Sequence, residues 1–149
     1  MASSTTVSRR QEIWNGAILY GCVGLGGVIG SCARYLASVF ALSQFGPGFP
    51  LGTLFVNITG SFVIGFYAAL TGPDGRVFAG TRQRQFVMTG ICGGYTTFSA
   101  FSLQTLALAQ EGQWLRAGAY IVASVVLCLV AVWGGYAIAH AVNAAGSGA

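Results

Sequence analysis

Polar side chains recur at four-residue intervals inside two apolar stretches of the sequence. This spacing places side chains on one face of a helix, so each stretch would carry a polar stripe. A polar group inside a membrane needs a partner, which is either a neighbouring helix or a polar solute. Both explanations stay open for these stripes. The first stripe comprises Thr53, Asn57 and Ser61, and the second comprises Tyr120, Ser124 and Cys128.

A third stretch, residues 90–102, reads GICGGYTTFSAFS. The glycine pair Gly93-Gly94 weakens a helix, and the pair Thr96-Thr97 offers the backbone alternative hydrogen bonds. We therefore predict that a helix is broken here, near its middle.

Two phenylalanines, Phe98 and Phe101, follow the predicted break. Lipid-facing or core packing is the usual role of such a pair. The positive edge of an aromatic ring also attracts an anion, without the strong binding that a lysine would give. Weak binding at several sites is what ion conduction requires.

Arg34 is the only formal charge deep in a predicted span. Three roles stay open for it. Its side chain snorkels to the membrane interface, or it faces a vestibule and attracts anions, or it ties two helix ends together.

Several classes of function are excluded by what the spans lack. They contain no Asp, Glu or Lys, so proton-coupled or cation-coupled antiport has no carboxylate to use. His140 stands alone, so no hydrolase triad forms around it, and we expect no enzyme. The net charge of +4 comes without a basic cluster that would bind nucleic acid.

The composition indicates a membrane protein, because only 7% of the residues are charged, against about 25% in soluble domains. A span needs about 20 apolar residues. The sequence predicts an all-α fold with one four-helix domain (residues 13–141), a disordered N-terminal tail (1–12) and a C-terminal tail (142–149). The predicted spans cover about residues 14–45, 51–70, 86–109 and 114–140.

The arginines predict the orientation, because basic residues favour the cytoplasmic side. Arg116 alone lies on one side of the membrane, and both termini share the other side, which is therefore cytoplasmic. Gly26 and Gly30 form a GxxxG pattern that favours close helix packing, in a bundle larger than one chain. The cytoplasmic arginines are Arg9, Arg10, Arg76, Arg82 and Arg84.

Three segments together resemble the CrcB/Fluc family of fluoride channels. They are GGVIGSCARY (26–35), GTLFVNITGSFVIGF (52–66) and GICGGYTTFSAFS (90–102). The resemblance implies passive export of fluoride through the bacterial inner membrane and resistance to fluoride. It also implies a dual-topology dimer, whose two antiparallel subunits line both pores.

The resemblance also implies a role for each site residue. Phe98 and Phe101 would form an aromatic box, and Asn57 would donate hydrogen bonds to fluoride. Arg34 would shape the aqueous entrance. The backbone carbonyls of Gly93 and Thr96 would hold a structural sodium ion at the dimer centre. The remaining pore residues would be Thr53, Tyr120, Ser124 and Cys128.

Three features depart from the family pattern. Cys128 stands where a serine is expected, and Gln104 replaces an expected glutamate. The arginine bias fits poorly with a homodimer of opposite orientations, so a heterodimer with an oppositely oriented sister chain is the alternative. Rival functions are a small multidrug-type transporter, which would need a glutamate in the first span, and a structural membrane protein.

Overall fold

The computed structural model describes residues 8–46 and 48–146, and every regular element in this part of the chain is helical. The prediction of an all-α fold is confirmed. In chain order the elements are α1 (Arg9–Phe45), α2 (Leu51–Leu70), α3 (Thr81–Gln85), a π-helix (Phe86–Cys92), α4 (Gly93–Tyr95), α5 (Phe98–Gln110) and α6 (Trp114–Gly146).

Three helices are long and apolar enough to cross a membrane: α1, α2 and α6. The third predicted span is divided among the π-helix, α4 and α5, none of which reaches the length of a span alone. The observed α2 has the predicted bounds. The outer helices are longer than predicted, since α1 begins at Arg9 and α6 ends at Gly146.

The early start of α1 has a local cause. The Ser8 hydroxyl accepts a hydrogen bond from the backbone N–H of Gln11 at 3.3 Å, and the Gln11 side chain accepts one from the Ser8 N–H at 3.1 Å. This capping box gives side-chain partners to two N–H groups at the start of the helix. Residues 9–12, assigned to the tail by the sequence, are therefore helical, and residues 1–7 lie outside the described part.

The third segment is broken at its threonine pair. Thr96 (φ −84°, ψ 159°) and Thr97 (φ −153°, ψ 115°) are both extended, and the Thr97 hydroxyl caps α5 by accepting from the Ala100 N–H. Gly93 is helical (φ −65°, ψ −36°), so the glycine pair is not part of the break. The expected break exists, and the threonines alone make it.

The glycines instead let this segment lie against α1. A Cβ atom on Gly90 would lie 2.9 Å from the Cα of Gly26, and one on Gly94 would lie 2.5 Å from the carbonyl oxygen of Gly27. Any side chain at these positions would push the helices apart. The glycines of α1 therefore serve packing within the chain.

Side-chain hydrogen bonds close the end of the bundle at which α1 begins and α6 ends. Arg84 donates to the Thr71 hydroxyl at 2.6 Å and to the Thr71 carbonyl, which caps α2. Asn143 of α6 donates to the Ala69 carbonyl and accepts from the Arg76 N–H, both at 3.0 Å. The Asn143 bonds join the C-terminal part of α6 to the last turn of α2 and to the loop that follows it.

Candidate functional site

A cavity of about 350 Å³ lies beside the helix break, between α2, the broken segment and α6. It brings together most of the side chains that the sequence singled out, although they come from three separate helices. Its lining includes Asn57, Phe98, Phe101, Ser124 and Cys128, together with Gly93 and Thr96. Among the described residues that line it there is no lysine, arginine, aspartate or glutamate.

The side chain of Asn57 stabilises the break by hydrogen bonding to the backbone of Thr97. Its side-chain oxygen accepts a hydrogen bond from the Thr97 N–H at 2.7 Å, and its side-chain nitrogen donates to the Thr97 carbonyl at 3.0 Å. Thr97 thereby regains both backbone hydrogen bonds that the broken helix cannot supply. An amide nitrogen carries two hydrogens, so one N–H of Asn57 remains for another acceptor.

The phenylalanines of the cavity belong to a chain of ring contacts. The rings of Phe98 and Phe101 lie 5.4 Å apart at 48°, and the ring of Phe101 lies 5.2 Å from that of Tyr120 at 50°. The side chain of Phe98 is 78% exposed, whereas Tyr120 is completely buried. Tilted rings at these distances present edges as well as faces, and the edges carry positive charge.

Tyr120 connects this cavity to a second one, of about 450 Å³, at the end of the bundle opposite the arginine cluster. Its hydroxyl donates to the side-chain oxygen of Gln104 at 3.0 Å. Gln104 lines the second cavity together with Thr53. Phe101, whose ring contacts that of Tyr120, lines the first cavity. A ring contact and a hydrogen bond of Tyr120, which lines neither cavity, therefore link a residue of the first cavity to a residue of the second.

Ser124 is the most unusual polar group of the site. Its hydroxyl is buried and has no hydrogen-bond partner, the only such side-chain atom in the described part of the chain. Buried polar groups are nearly always paired, because an unpaired one costs about 1–3 kcal/mol. The Ser124 side chain also lines the cavity, so the described residues leave an uncommitted hydroxyl beside it.

Arg34 is not brought into this site. It lies half-buried in α1 and lines neither cavity. Within residues 8–46 and 48–146 its guanidinium makes no hydrogen bond. It lies one turn after Gly30, on the helix that packs against the broken segment.

Among the described residues, no hydrogen-bond donor outside the helices pairs with the carbonyl oxygens of Gly93 and Thr96. Thr97 N–H, which would reach Gly93 in a continuous helix, is bonded to Asn57 instead, and neither oxygen accepts another hydrogen bond in the described residues. Unwound backbone and helix ends of this kind coordinate sodium in membrane proteins. The described residues contain no cluster of His, Cys, Asp or Glu that could hold a metal, so a cation here would rely on these carbonyls.

A protein-family profile described as "CrcB-like protein, Camphor Resistance (CrcB)" matches residues 21–136. The chain belongs to the CrcB family. The matched region of this CrcB-family chain includes every site residue that the sequence singled out, from Arg34 to Cys128.

Curated relatives match this CrcB-family chain over most of their length. The Fluoride-specific ion channel FluC 1 of Rhodopseudomonas palustris (strain BisB18) is 58% identical over 132 residues, which are 89% of this chain and 94% of the relative. The Fluoride-specific ion channel FluC of Opitutus terrae (strain DSM 11246 / JCM 15787 / PB90-1) is 54% identical over 125 residues, 84% of this chain and 95% of the relative.

Two participants in the site were not recognised from the sequence, and a third was noticed only as a departure. Thr97 was identified only as a helix breaker, and its bond to Asn57 joins residues 40 positions apart. Phe49, whose ring meets that of Tyr120 edge-on at 5.4 Å, lies in a Gly-Pro loop that gives no sign of it. Gln104 was noticed as a replacement, but its bond to Tyr120 was not foreseen.

Proposed function

We propose that this chain is one subunit of a fluoride-selective channel, which exports cytoplasmic fluoride passively down its electrochemical gradient. The observation that carries the proposal is the cavity beside the break, where a buried hydroxyl without a partner lies among neutral donors and aromatic rings. The names of the relatives agree with it, since each of those described above is called a fluoride-specific ion channel.

The cavity suits a small anion that must pass quickly. Ser124 and the free N–H of Asn57 replace part of the water shell of the ion by hydrogen bonds, and the edges of Phe98 and Phe101 add weak electrostatic attraction. Because no cationic side chain lines the cavity, the ion is not held too tightly to leave. Tyr120 and Gln104 then continue the polar route to the second cavity.

The pore walls are completed by a second subunit in this proposal. Phe98 is largely exposed and Gly93 faces outward, so one chain leaves the site open on that side. An antiparallel dimer would cover it, with two pores lined by both chains, in the bacterial inner membrane. The strong arginine bias keeps a heterodimer with an oppositely oriented sister chain as the alternative to a homodimer.

A structural sodium ion at the dimer centre is part of the proposal. The unpaired carbonyl oxygens of Gly93 and Thr96 are oxygen ligands on the exposed side of the break. Two chains related by a two-fold axis would contribute four such oxygens to one cation. The ion would stabilise the dimer and would not be transported.

Efflux from liposomes tests the function. The purified chain is reconstituted into vesicles loaded with fluoride or with chloride, and the released anion is measured with an ion-selective electrode. We expect rapid fluoride efflux, negligible chloride efflux and no dependence on a proton gradient. Efflux that requires a proton gradient would favour the multidrug-type transporter, and no efflux of either ion would favour a structural protein.

Phe101→Ala tests the site separately from the function, with Phe78→Ala as the matched control. Phe78 is a fully exposed phenylalanine in the α2–α3 loop, outside the cavity. We expect slow fluoride efflux for the first variant and normal efflux for the second. Unchanged efflux in Phe101→Ala would refute the site while leaving the function intact.

Accessibility of terminal tags in intact cells tests the orientation. A homodimer of opposite orientations predicts that about half of the N-termini are labelled from outside. Labelling of none would exclude the antiparallel homodimer and leave the heterodimer.

A further inference from the structure

A third cavity, of about 430 Å³, opens at the arginine-rich end of the bundle. Its walls are largely apolar and include Cys22 of α1 and Phe86 and Val87 of the π-helix. Its polar rim is formed by Arg82 and Gln83 of α3. None of its lining residues lines the two cavities of the candidate pathway. The proposed function therefore gives this cavity no role.

Arg82 supplies a positive charge that its hydrogen bond does not neutralise. Its guanidinium donates to the side-chain oxygen of Asn15 at 2.9 Å, which orients it against α1. Asn15 is neutral, and four of the five N–H donors of the guanidinium remain. Glu12 and Asp74 are the acidic residues of this end, and five arginines outnumber them.

The depth of the cavity matches the layers of a membrane surface. Phe86 lies four residues after Arg82, about 6 Å along a helix axis. The headgroup layer of one leaflet is about 5–8 Å thick, half the difference between the whole bilayer and its hydrocarbon core. With Arg82 among the headgroups, the apolar walls therefore begin where the acyl chains begin.

Exposed aromatic side chains lie at this opening and on α1 beside the Asn15 partner of Arg82. Phe78 of the α2–α3 loop also lines the cavity and is 97% exposed. Trp14, next to Asn15 on α1, is 68% exposed. Tryptophan marks the membrane interface, and lipid would cover the ring of Phe78.

We propose that this cavity binds one anionic phospholipid. Its phosphate lies at Arg82, whose planar fork matches phosphate oxygens, and the upper part of an acyl chain lies against Phe86 and Val87. The charge at the rim favours a lipid with net negative charge over a zwitterionic one. This assignment does not depend on which ion the chain transports.

Native mass spectrometry of the full chain in detergent tests the proposal. Phosphatidylglycerol and phosphatidylcholine with identical acyl chains are titrated, and the fraction of lipid-bound protein is measured. We expect preferential binding of phosphatidylglycerol. Arg82→Gln should weaken it about fivefold, which corresponds to about 1 kcal/mol for one arginine near the surface, and should leave phosphatidylcholine unchanged. Arg82→Lys should retain most of the binding.

Two further variants separate a built site from diffuse attraction. Arg116→Gln removes a charge from the opposite end, where Arg116 donates to Gln113 at 2.9 Å, and should bind phosphatidylglycerol normally. Ala79→Trp fills the cavity without changing its charge and should weaken binding even if Arg82→Gln folds poorly.

Four results would overturn the proposal. The first is an equal loss of phosphatidylglycerol binding in Arg82→Gln and Arg116→Gln, and the second is normal lipid binding in Ala79→Trp. The third is glycerol phosphate bound as tightly as the lipid, and the fourth is a changed oligomeric state in Ala79→Trp without a change in lipid binding. The third result would indicate a small-anion site, and the fourth would indicate that a second copy of the chain occupies the cavity.

Discussion

The arginine-rich end of the bundle and the cavity beside the break differ in whether their polar side chains have hydrogen-bond partners. At the arginine end, Arg84 and Asn143 each pair with backbone groups and fix the ends of helices. In the cavity, the described residues leave Ser124 without a partner and one N–H of Asn57 free. Paired groups add stability, whereas unpaired groups reduce it and remain available to a ligand. The difference separates the part that holds the helices together from the part that would contact an ion.

The largest effects should come from breaking two side-chain hydrogen bonds in each of these two regions. Asn57→Leu leaves both backbone groups of Thr97 unpaired. Asn143→Leu removes the side-chain bonds to the Ala69 carbonyl and to the Arg76 N–H. Both changes should lower the thermal unfolding midpoint in detergent. Asn57→Leu should also reduce fluoride efflux about 100-fold, since two lost bonds amount to about 2.7 kcal/mol.

Asn143→Leu is the matched control and should conduct within about twofold of the unchanged chain, since rates this close differ by under about 0.5 kcal/mol. If the two variants lose efflux equally, the comparison between the two regions fails. Liposome efflux, corrected for the amount of reconstituted protein, provides the measurement.

A second comparison concerns the glycines that bring the broken segment against α1. Gly94→Ala should lower the free energy of unfolding by about 1–3 kcal/mol, because the new methyl group would meet the Gly27 carbonyl. Gly24→Ala, where nothing lies within 4 Å, should leave stability equal or slightly higher. Thermal unfolding in detergent measures both, and similar midpoints would mean that the close approach is unimportant.

Ser124→Ala and Arg84→Met should affect efflux and stability in opposite patterns. Removing the unpaired Ser124 hydroxyl should leave the unfolding midpoint unchanged or higher, yet slow fluoride efflux about tenfold, the equivalent of about 1.4 kcal/mol. Arg84→Met removes the cap of α2 and should lower the midpoint without slowing efflux. A stability loss in Ser124→Ala would show that its hydroxyl has a partner in the assembled protein.

The smallest effect should come from the link between the two cavities. Tyr120→Phe keeps the ring contacts with Phe101 and Phe49 but loses the bond to Gln104. We expect fluoride efflux to fall about threefold, the equivalent of about 0.6 kcal/mol. A much larger loss would mean that the hydroxyl itself contacts the ion, and Gln104→Leu would then separate the contribution of its partner.

Much of the fold could be predicted from local signals. Pro50 precedes α2 and a polar loop follows Leu70, so the bounds of that helix were predicted correctly. The early start of α1 was not predicted, although Ser8 and Gln11 have the spacing of a capping box. The break was expected at both the glycines and the threonines, because both pairs weaken a helix. Helix propensity alone does not show that packing against α1 would keep the glycine pair helical.

The sequence proposed members of the candidate site but none of the contacts between them. Asn57, Phe101 and Ser124 line one cavity, and their role in a pore stays a prediction. Thr53 lies instead in the second cavity, and Arg34 lies in neither. Helical spacing places residues on a face of their own helix, but which neighbour that face meets depends on how the helices cross.

The sequence by itself determined the membrane environment, the helical class and the family. The length of the apolar stretches, the spacing of polar residues and the three motifs are all local properties of the chain. Only the tertiary structure decided that Asn57 bonds to Thr97, that the glycines serve packing against α1, and that Ser124 has no partner among the described residues. These facts depend on groups far apart in the chain, such as Asn57 and Thr97. Hydrogen bonding requires approach to about 3 Å, and the packing of the helices alone sets which distant groups come that close.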